Sequence, residues 1–514
     1  MPNTFAYIML FAWPAIALIL YRTLPFERAL VWSFMAAYMV LPEATSVDPP
    51  LIPPLNKSSM TNISAFLICI LVLGRKVRIL PATGLGKILI ILYIVSPFAT
   101  IMTNTDPFAL AVGPAFPGMK PYDAIAMITQ QLIYMMPFFL GRQYLATPTA
   151  QRELLLAFVV GGLVYSLPVL LEVRLSPRVH IWIYGFLQHD WFAMLRGGGY
   201  RPIVLMHHGI WLALWMMMCA VSAAILMKSA DKERRAFYMG SMIYLAVILA
   251  LCKSLGALVY LVFLLPMVLL TTRKMQLRVA AILVILVMSY PLLRGMGLIP
   301  VDTLLDMAGS LSENRMLSLQ FRFDNEDRLL AHAQERAMFG WGGFGRNHVF
   351  DPETGRNISV IDGRWLAVFG MFGWAGYFAE FGLLVLPVLL LWRVSRTRGI
   401  DTLSPYAPGL CLMYAVNVLD LLPNATLVPL TWLAAGMILG YAERLAGQGA
   451  KAGTEPARQV EPEAEQVLAR ETTKPEPKKR RRRGAPGAPS PTGSGAETEP
   501  ASGARHVRRK RPAR

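Results

Sequence analysis

Cysteine and charge are both scarce in this chain, and each scarcity closes off a class of protein. The four cysteines among 514 residues, Cys69, Cys219, Cys252 and Cys411, fall in or at the ends of apolar segments. They show no CxxC spacing and have no histidine partners, so neither a disulfide framework nor a zinc site is indicated. Small, buried packing residues are what they fit. Charged residues make up 16% of the chain, against about 25% in soluble domains. A basic leader is missing too: residues 1–20 carry no basic n-region and no clear small-residue cleavage site. They are therefore expected to stay in place as a first membrane span.

What is abundant is apolar sequence, at 55%. Segments such as 88–103, 154–171, 203–227 and 365–391 approach or exceed the roughly 20 residues that cross a hydrocarbon core. The fold class they predict is an all-α integral membrane protein with about 12–14 transmembrane helices, one large extracytoplasmic loop and a disordered basic C-terminal tail. Thirteen candidate spans lie near 5–21, 28–42, 60–74, 87–103, 124–140, 154–171, 203–227, 236–252, 255–271, 277–296, 365–391, 405–422 and 425–442. The implied organisation is N-terminal spans over 1–171, an interfacial segment over 172–202 and central spans over 203–297. A large loop over 298–364, C-terminal spans over 365–446 and a tail over 447–514 complete it.

The formal charge of +18 does not read as a nucleic-acid surface, because much of the excess sits in the tail, including KKRRRR at 478–483 and RRKR at 508–511. No nucleic-acid partner is expected. The tail is mostly Ala, Gly, Pro, Glu, Lys and Arg and cannot bury a core. Its basic clusters suit tethering to the anionic lipid of an inner leaflet. The remaining basic residues fall in alternate short loops: Arg22 and Arg28; Arg75, Lys76 and Arg78; Arg142 and Arg152; Lys228, Lys232, Arg234 and Arg235; Arg273, Lys274 and Arg278; Arg393, Arg396 and Arg398. By the positive-inside rule these loops are cytoplasmic, which puts the N-terminus outside, the C-terminus in the cytoplasm and the 324–362 stretch outside.

Three outer loops are long. Those at 42–56 and 104–121 are rich in Pro, the second also in Gly. The third, 172–202, intersperses Trp182, Tyr184, Phe186, Trp191 and Phe192 with His180, His189 and Arg196, as a segment along a membrane surface would. Its Arg174, Arg178, Arg196 and Arg201 break the charge rule and suggest an anionic partner on the outer side.

Chemistry is expected in 324–376, DNEDRLLAHAQERAMFGWGGFGRNHVFDPETGRNISVIDGRWLAVFGMFGWAG. GWGGFG at 340–345 matches G-x-G-x-x-G, but it follows a helix-like run, 326–338, instead of lying between a strand and a helix. It reads as a glycine turn that lets backbone approach closely. Arg328 and Arg336, eight residues apart, would share a helix face. With Arg346, Arg364 and Arg201 they could cradle a diphosphate through bidentate guanidinium bonds, or pair with Asp324, Glu326, Asp327, Glu335 and Asp351. Asp362, at the end of the loop, and His207, His208, His332 and His348 are candidate bases. Glu380 lies near the middle of a span, where an ionisable group defaults to a functional role; a carboxyl bonded to a neighbouring helix is the alternative.

The order of these features resembles the O-antigen ligase and polymerase superfamily of bacterial envelope glycan assembly. Arg201-Pro202 enters a span, and Lys253-Ser254-Leu255-Gly256-Ala257 begins another. A large loop then carries Arg328 on a helix and a glycine turn at 338–345, without the family's proline, before a Gly-rich helix re-enters at 365–376. The similarity covers roughly 172–391. It implies an inner-membrane, metal-independent and cofactor-free glycosyltransferase acting on a polyprenyl-diphosphate-linked oligosaccharide, with other polysaccharide-export proteins as further partners. Arg201, Arg328, Arg346, Arg364 and Lys253 would hold the diphosphate, stabilising the leaving group. In the ligases a histidine ends the large loop. Here Val360-Ile361-Asp362-Gly363 stands in that place, which moves the base to Asp362, with His348 second, and favours an exopolysaccharide polymerase over a ligase. A lipid-linked oligosaccharide flippase and a non-catalytic anchoring subunit are the rivals.

Overall fold

The structure, a computed structural model, describes residues 1–452 except 50–52, 110–111 and 197. Regular structure is almost wholly helical. The first eight helices are α1 (Thr4–Thr23), α2 (Phe26–Val40), α3 (Lys57–Leu67), α4 (Gly84–Met102), α5 (Pro121–Tyr144), α6 (Pro148–Leu175), α7 (Val179–Tyr184) and α8 (Gly209–Lys228). They are followed by α9 (Lys232–Leu251), α10 (Leu255–Leu270), α11 (Arg273–Gly295), α12 (Val301–Leu311), α13 (Glu313–Gln334), α14 (Arg364–Arg398), α15 (Ala407–Leu419) and α16 (Pro429–Ala452). Among the described residues, three short antiparallel strand pairs, 46–47 with 55–56, 108–109 with 115–116 and 195–196 with 199–200, lie in the three long loops.

Eight helices (α1, α4, α5, α6, α8, α9, α11 and α14) are long and apolar enough to cross a membrane, and 57–72, α10 and α15 are shorter apolar helices. Their sides carry the signature of lipid contact. Ile88, Ile91, Val95, Phe98 and Met102 are exposed along one stripe of α4, and Val160, Val164, Leu167 and Leu171 along one of α6. Such apolar stripes would be a liability in water and are at home in hydrocarbon. By contrast α8 is 78% buried and forms the centre of the bundle. Helix starts are fixed by side chains that accept the first free backbone N–H groups: Asn3 from Ala6, Thr83 from Gly86, Thr147 from Ala150 and Thr272 from Met275. The architecture is mostly helical, with eight candidate membrane-spanning helices, as in a multi-pass membrane protein. All four cysteines are free and buried, as packing residues should be.

Three boundaries differ from the sequence reading. The 203–227 segment becomes helical only at Gly209, because 201–208 is held as a non-helical strap, buried over 201–206. The helix expected over 326–338 instead runs from Glu313 to Gln334, so Arg336 lies beyond its end and does not share a face with Arg328. The tail expected from 447 begins as a continuation of α16 to Ala452, and its basic clusters lie outside the described residues.

The glycine turn does dock against backbone, and its partner is the Gly-rich helix. At Gly373 (φ 61°, ψ −158°) α14 breaks. The freed carbonyls of Gly370 and Met371 accept from the N–H groups of Trp341 and Gly342, both at 2.9 Å. In return Trp374 and Ala375 donate to Ala337 and Met338, at 2.8 and 3.1 Å. A Cβ on Gly340 would lie 2.4 Å from the Met371 carbonyl carbon, and one on Gly373 2.4 Å from the Ala337 oxygen. Only glycine fits either place, and no nucleotide is needed to explain the motif.

Candidate active site at the start of α14

Hydrogen bonds gather the long loops at one end of the bundle. Lys57 Nζ donates to Leu205 O (3.0 Å) and Asn104 Nδ2 to Gly340 O (2.9 Å). Asn3 N donates to Tyr184 O (2.9 Å) at the same end. Beneath the 172–202 loop, the buried carboxylate of Glu172 accepts from the backbone of Val179, Ile203 and Val204 at 2.7–3.0 Å. Gln188 Nε2 donates to the carbonyls of Val204 and Met206. These bonds fix the strap that carries Arg201.

Arg201 is 2% exposed, and its Nη2 donates to Ser254 Oγ at 3.1 Å. Its Nε has no partner, and no carboxylate forms an ion pair with it among the described residues. Gly209 makes its room: a Cβ there would stand 2.5 Å from Nε. Burial, with Arg196 and Arg322 nearby, pulls the Arg201 pKa down to about 10. A buried cation surrounded by like charge and lacking a counter-ion is an unsatisfied electrostatic demand, which an anion would meet. Lys253, at positive φ between α9 and α10, ties this region together by donating to Arg196 O at 2.9 Å.

A cavity of about 780 Å³ opens beside this cluster, bounded by α10, α13, the ends of α11 and α15, and the 360–363 segment before α14. Its walls are mostly apolar, with Val259, Leu319 and Leu366 among them, and its polar end carries Arg322 and Asp362. Arg322 Nε stands 3.6 Å from Asp362 Oδ2, both about one-third exposed, and Nη1 donates to Pro423 O at 3.3 Å. Glu326 lines the wall one turn further along α13, accepting from Tyr290 Oη (3.1 Å) and Arg294 Nε (3.3 Å). Burial raises its pKa, against the pull of Arg294. Asp420 lies 3% exposed, bonded to Thr426 Oγ1 (2.7 Å) and Asn424 Nδ2 (2.9 Å). Its pKa is raised by burial, with Thr426, Asn424, Tyr260 and the charge of Arg322 acting the other way.

Of the residues singled out from sequence, Asp362 lines this cavity and Arg201 and Lys253 flank it. The others stand elsewhere. Arg328 is exposed on a different face of α13 and does not line the cavity. Arg364 turns away to Glu380, with Nε–Oε1 and Nη2–Oε2 both at 2.7 Å, so each satisfies the other and neither stands alone. Arg346, 1% exposed, donates to the carbonyls of Pro117 (3.0 Å) and Asp106 (3.2 Å). These two bonds fasten the glycine turn to the 104–121 loop, and its Nε has no partner among the described residues. His348 Nδ1 lies 3.2 Å from Ser359 Oγ and 3.3 Å from Asn357 Nδ2, holding a loop turn, and burial lowers its pKa.

His207 is exposed against Trp211, in a 130 Å³ cavity with the Lys57–Glu43 ion pair. His208 caps α8: Nδ1 accepts from Ile210 N at 3.1 Å, which leaves the proton on Nε2. Burial first, then Arg201, pushes its pKa down to about 3. At neutral pH it is a donor and not a base. His332 stacks on Trp341 at 4.4 Å. Among the described residues no group of three His, Cys, Asp or Glu side chains could hold a metal ion.

Arg322 is the residue the sequence reading passed over. Leu319, Arg322, Phe323 and Glu326 follow i, i+3, i+4, i+7 spacing, and all four line the cavity. That periodicity was the available signal. No protein-family model matches the chain, and no curated protein is significantly similar to it.

Proposed function

We propose that the protein is a glycan polymerase of the bacterial inner membrane, lengthening an exported surface polysaccharide from a polyprenyl-diphosphate-linked donor. The observation that carries this reading is one cavity in which apolar walls lead to Arg322 and Asp362, with the unpaired, buried Arg201 close enough to feel the charge of Arg322. Such a cavity suits a lipid tail joined to an anionic head. The motif order that resembles the O-antigen ligase and polymerase superfamily supports the same reading, as does the basic character of alternate loops. With the basic loops cytoplasmic, thirteen spans of about 20 residues each would put the N-terminus and the cavity outside and the C-terminus in the cytoplasm.

In the reaction the acceptor hydroxyl oxygen attacks the anomeric carbon of the donor glycan. The bond from that carbon to the phosphate oxygen breaks, and its electron pair leaves with the polyprenyl diphosphate. Arg201 and Arg322 stabilise the departing charge. The hydroxyl proton passes to Asp362, whose carboxylate is released when Arg322 turns from it to the diphosphate. His348, Arg328, Arg346 and Arg364 have no part in this step.

The test is purified protein in lipid nanodiscs, supplied with the polyprenyl-diphosphate-linked oligosaccharide pool of its host, with product length followed on a gel. A ladder that Arg322→Ala and Asp362→Asn both lose while remaining folded is the expected result. Glycan attached once to a lipid acceptor without a ladder would make the protein a ligase. Substrate crossing between leaflets with no new glycosidic bond would make it a transporter.

A further inference from the structure

Behind Arg364 lie two further cavities, of about 440 and 150 Å³, which share Tyr93, Tyr134 and Arg364. Two buried amides in their walls are incompletely bonded. Asn62, fully buried in α3, donates through Nδ2 to Ile133 O (3.0 Å), but its Oδ1 has no partner. Gln131 of α5 is 7% exposed, and its Oε1 has none either. The hydroxyls of Tyr93 and Tyr134 make no hydrogen bond among the described residues, and Arg364 Nη1 is not used on Glu380. Buried polar atoms are nearly always bonded, so free acceptors on two different helices, in the walls of two cavities that share three residues, point to a polar occupant.

The chemistry of the walls narrows what that is. Because Glu380 neutralises Arg364, the space carries no net charge, in contrast to the cationic cluster around Arg201. It offers amide oxygens as acceptors, phenol and guanidinium N–H and O–H groups as donors, and tyrosine rings as flat apolar faces. That set matches a neutral polyhydroxyl ring. Gly363 lines the Asp362 cavity and Arg364 lines these two, so the spaces flank the same first turn of α14. We infer that the Tyr93–Gln131–Tyr134 space is the binding site for the acceptor glycan, separate from the donor's lipid-diphosphate cavity and next to it across the first turn of α14. This rests on the glycan-transfer reading for its role, but binding can be measured without transfer.

The probe is the oligosaccharide released by mild acid from the host's lipid-linked pool, carrying no diphosphate. Its binding to nanodisc-embedded protein is followed by saturation-transfer NMR. Wild type should bind saturably, and Gln131→Met and Tyr134→Phe should each weaken binding by roughly tenfold, the value of one net hydrogen bond. Tyr134→Phe removes a single oxygen, and a matching melting curve for it excludes misfolding. No saturable binding, or binding unchanged in both variants, overturns the acceptor site and leaves the cavities to water. If the oligosaccharide binds in this variant-sensitive way but no ladder forms in the transfer assay, the polymerase reading falls and the glycan site stands. If a ladder forms and neither variant alters its dependence on acceptor concentration, the polymerase stands and this site falls.

Discussion

Arg364 and Glu380 are sixteen residues apart on α14, on opposite sides of the break at Gly373, yet they meet in two 2.7 Å hydrogen bonds. Glu380 is 2% exposed and Arg364 23%, so each is the other's counter-charge in a place water barely reaches. Arg364→Ala would strand a buried carboxylate, at a cost of about 3–5 kcal/mol. Replacing both residues by Met should recover most of that loss, because the unpaired charge is the larger penalty. Melting curves in one detergent for the single and double variants check this. A double variant no more stable than Arg364→Ala would mean that the pair acts through geometry and not through charge.

The break itself should be equally intolerant. Gly373→Ala places a residue at φ 61° and a Cβ 2.4 Å from the Ala337 carbonyl oxygen. Backbone strain of this kind costs about 1–3 kcal/mol before the collision is counted. The expected readout is faster proteolysis within 335–363, since the four backbone bonds that join this stretch to α14 would be lost together. A proteolysis pattern identical to wild type would show that α14 can break elsewhere.

Arg322 and Arg328 offer a paired test of the cavity assignment. Arg322 faces Asp362, while Arg328 points from another side of the same helix. If the diphosphate sits at the cavity mouth, Arg322→Ala should lower transfer by about 10²-fold or more, as loss of a preorganised charge contact does. Arg328→Ala should stay within about twofold of wild type, in the range of an exposed, unpaired surface group. Initial rates at saturating acceptor separate the two, and equal losses would return Arg328 to the site.

How far the sequence discloses this arrangement depends on how local the physics is. Apolar runs are local, so each of the thirteen expected segments contains a helix. The glycine turn was legible as a close backbone approach for the same reason, since positive φ is a property of single residues. Its partner at 370–375 was not, because nothing in the run announces which carbonyls a broken helix will free. Arg364 and Glu380 looked like two separate functional residues, since a straight helix would not bring them together with this geometry and the break does. Arg346 shows the opposite case. A guanidinium suited to phosphate is equally suited to two backbone carbonyls, and only the fold decides between them.

His208 gives a pH signature that separates structure from catalysis. Its folded pKa of about 3 lies below the ordinary value of 6.5, so the folded state resists protonation. As pH falls below 6.5 the unfolded chain takes up a proton that the folded chain refuses, and stability drops by up to about 1.4 kcal/mol per pH unit until pH approaches 3. Above 6.5 this contribution is constant. Between pH 6.5 and 5 the wild type should therefore lose up to about 2 kcal/mol through this group. His208→Asn, whose side-chain oxygen can still cap Ile210 N, should lose correspondingly less. Melting temperatures of both proteins across that range measure the difference, and parallel curves would show that His208 is protonated as easily in the fold as outside it. The same substitution should leave the pH dependence of transfer unchanged, because a neutral imidazole whose Nδ1 lone pair is committed to a helix cap has no free lone pair with which to take up a proton.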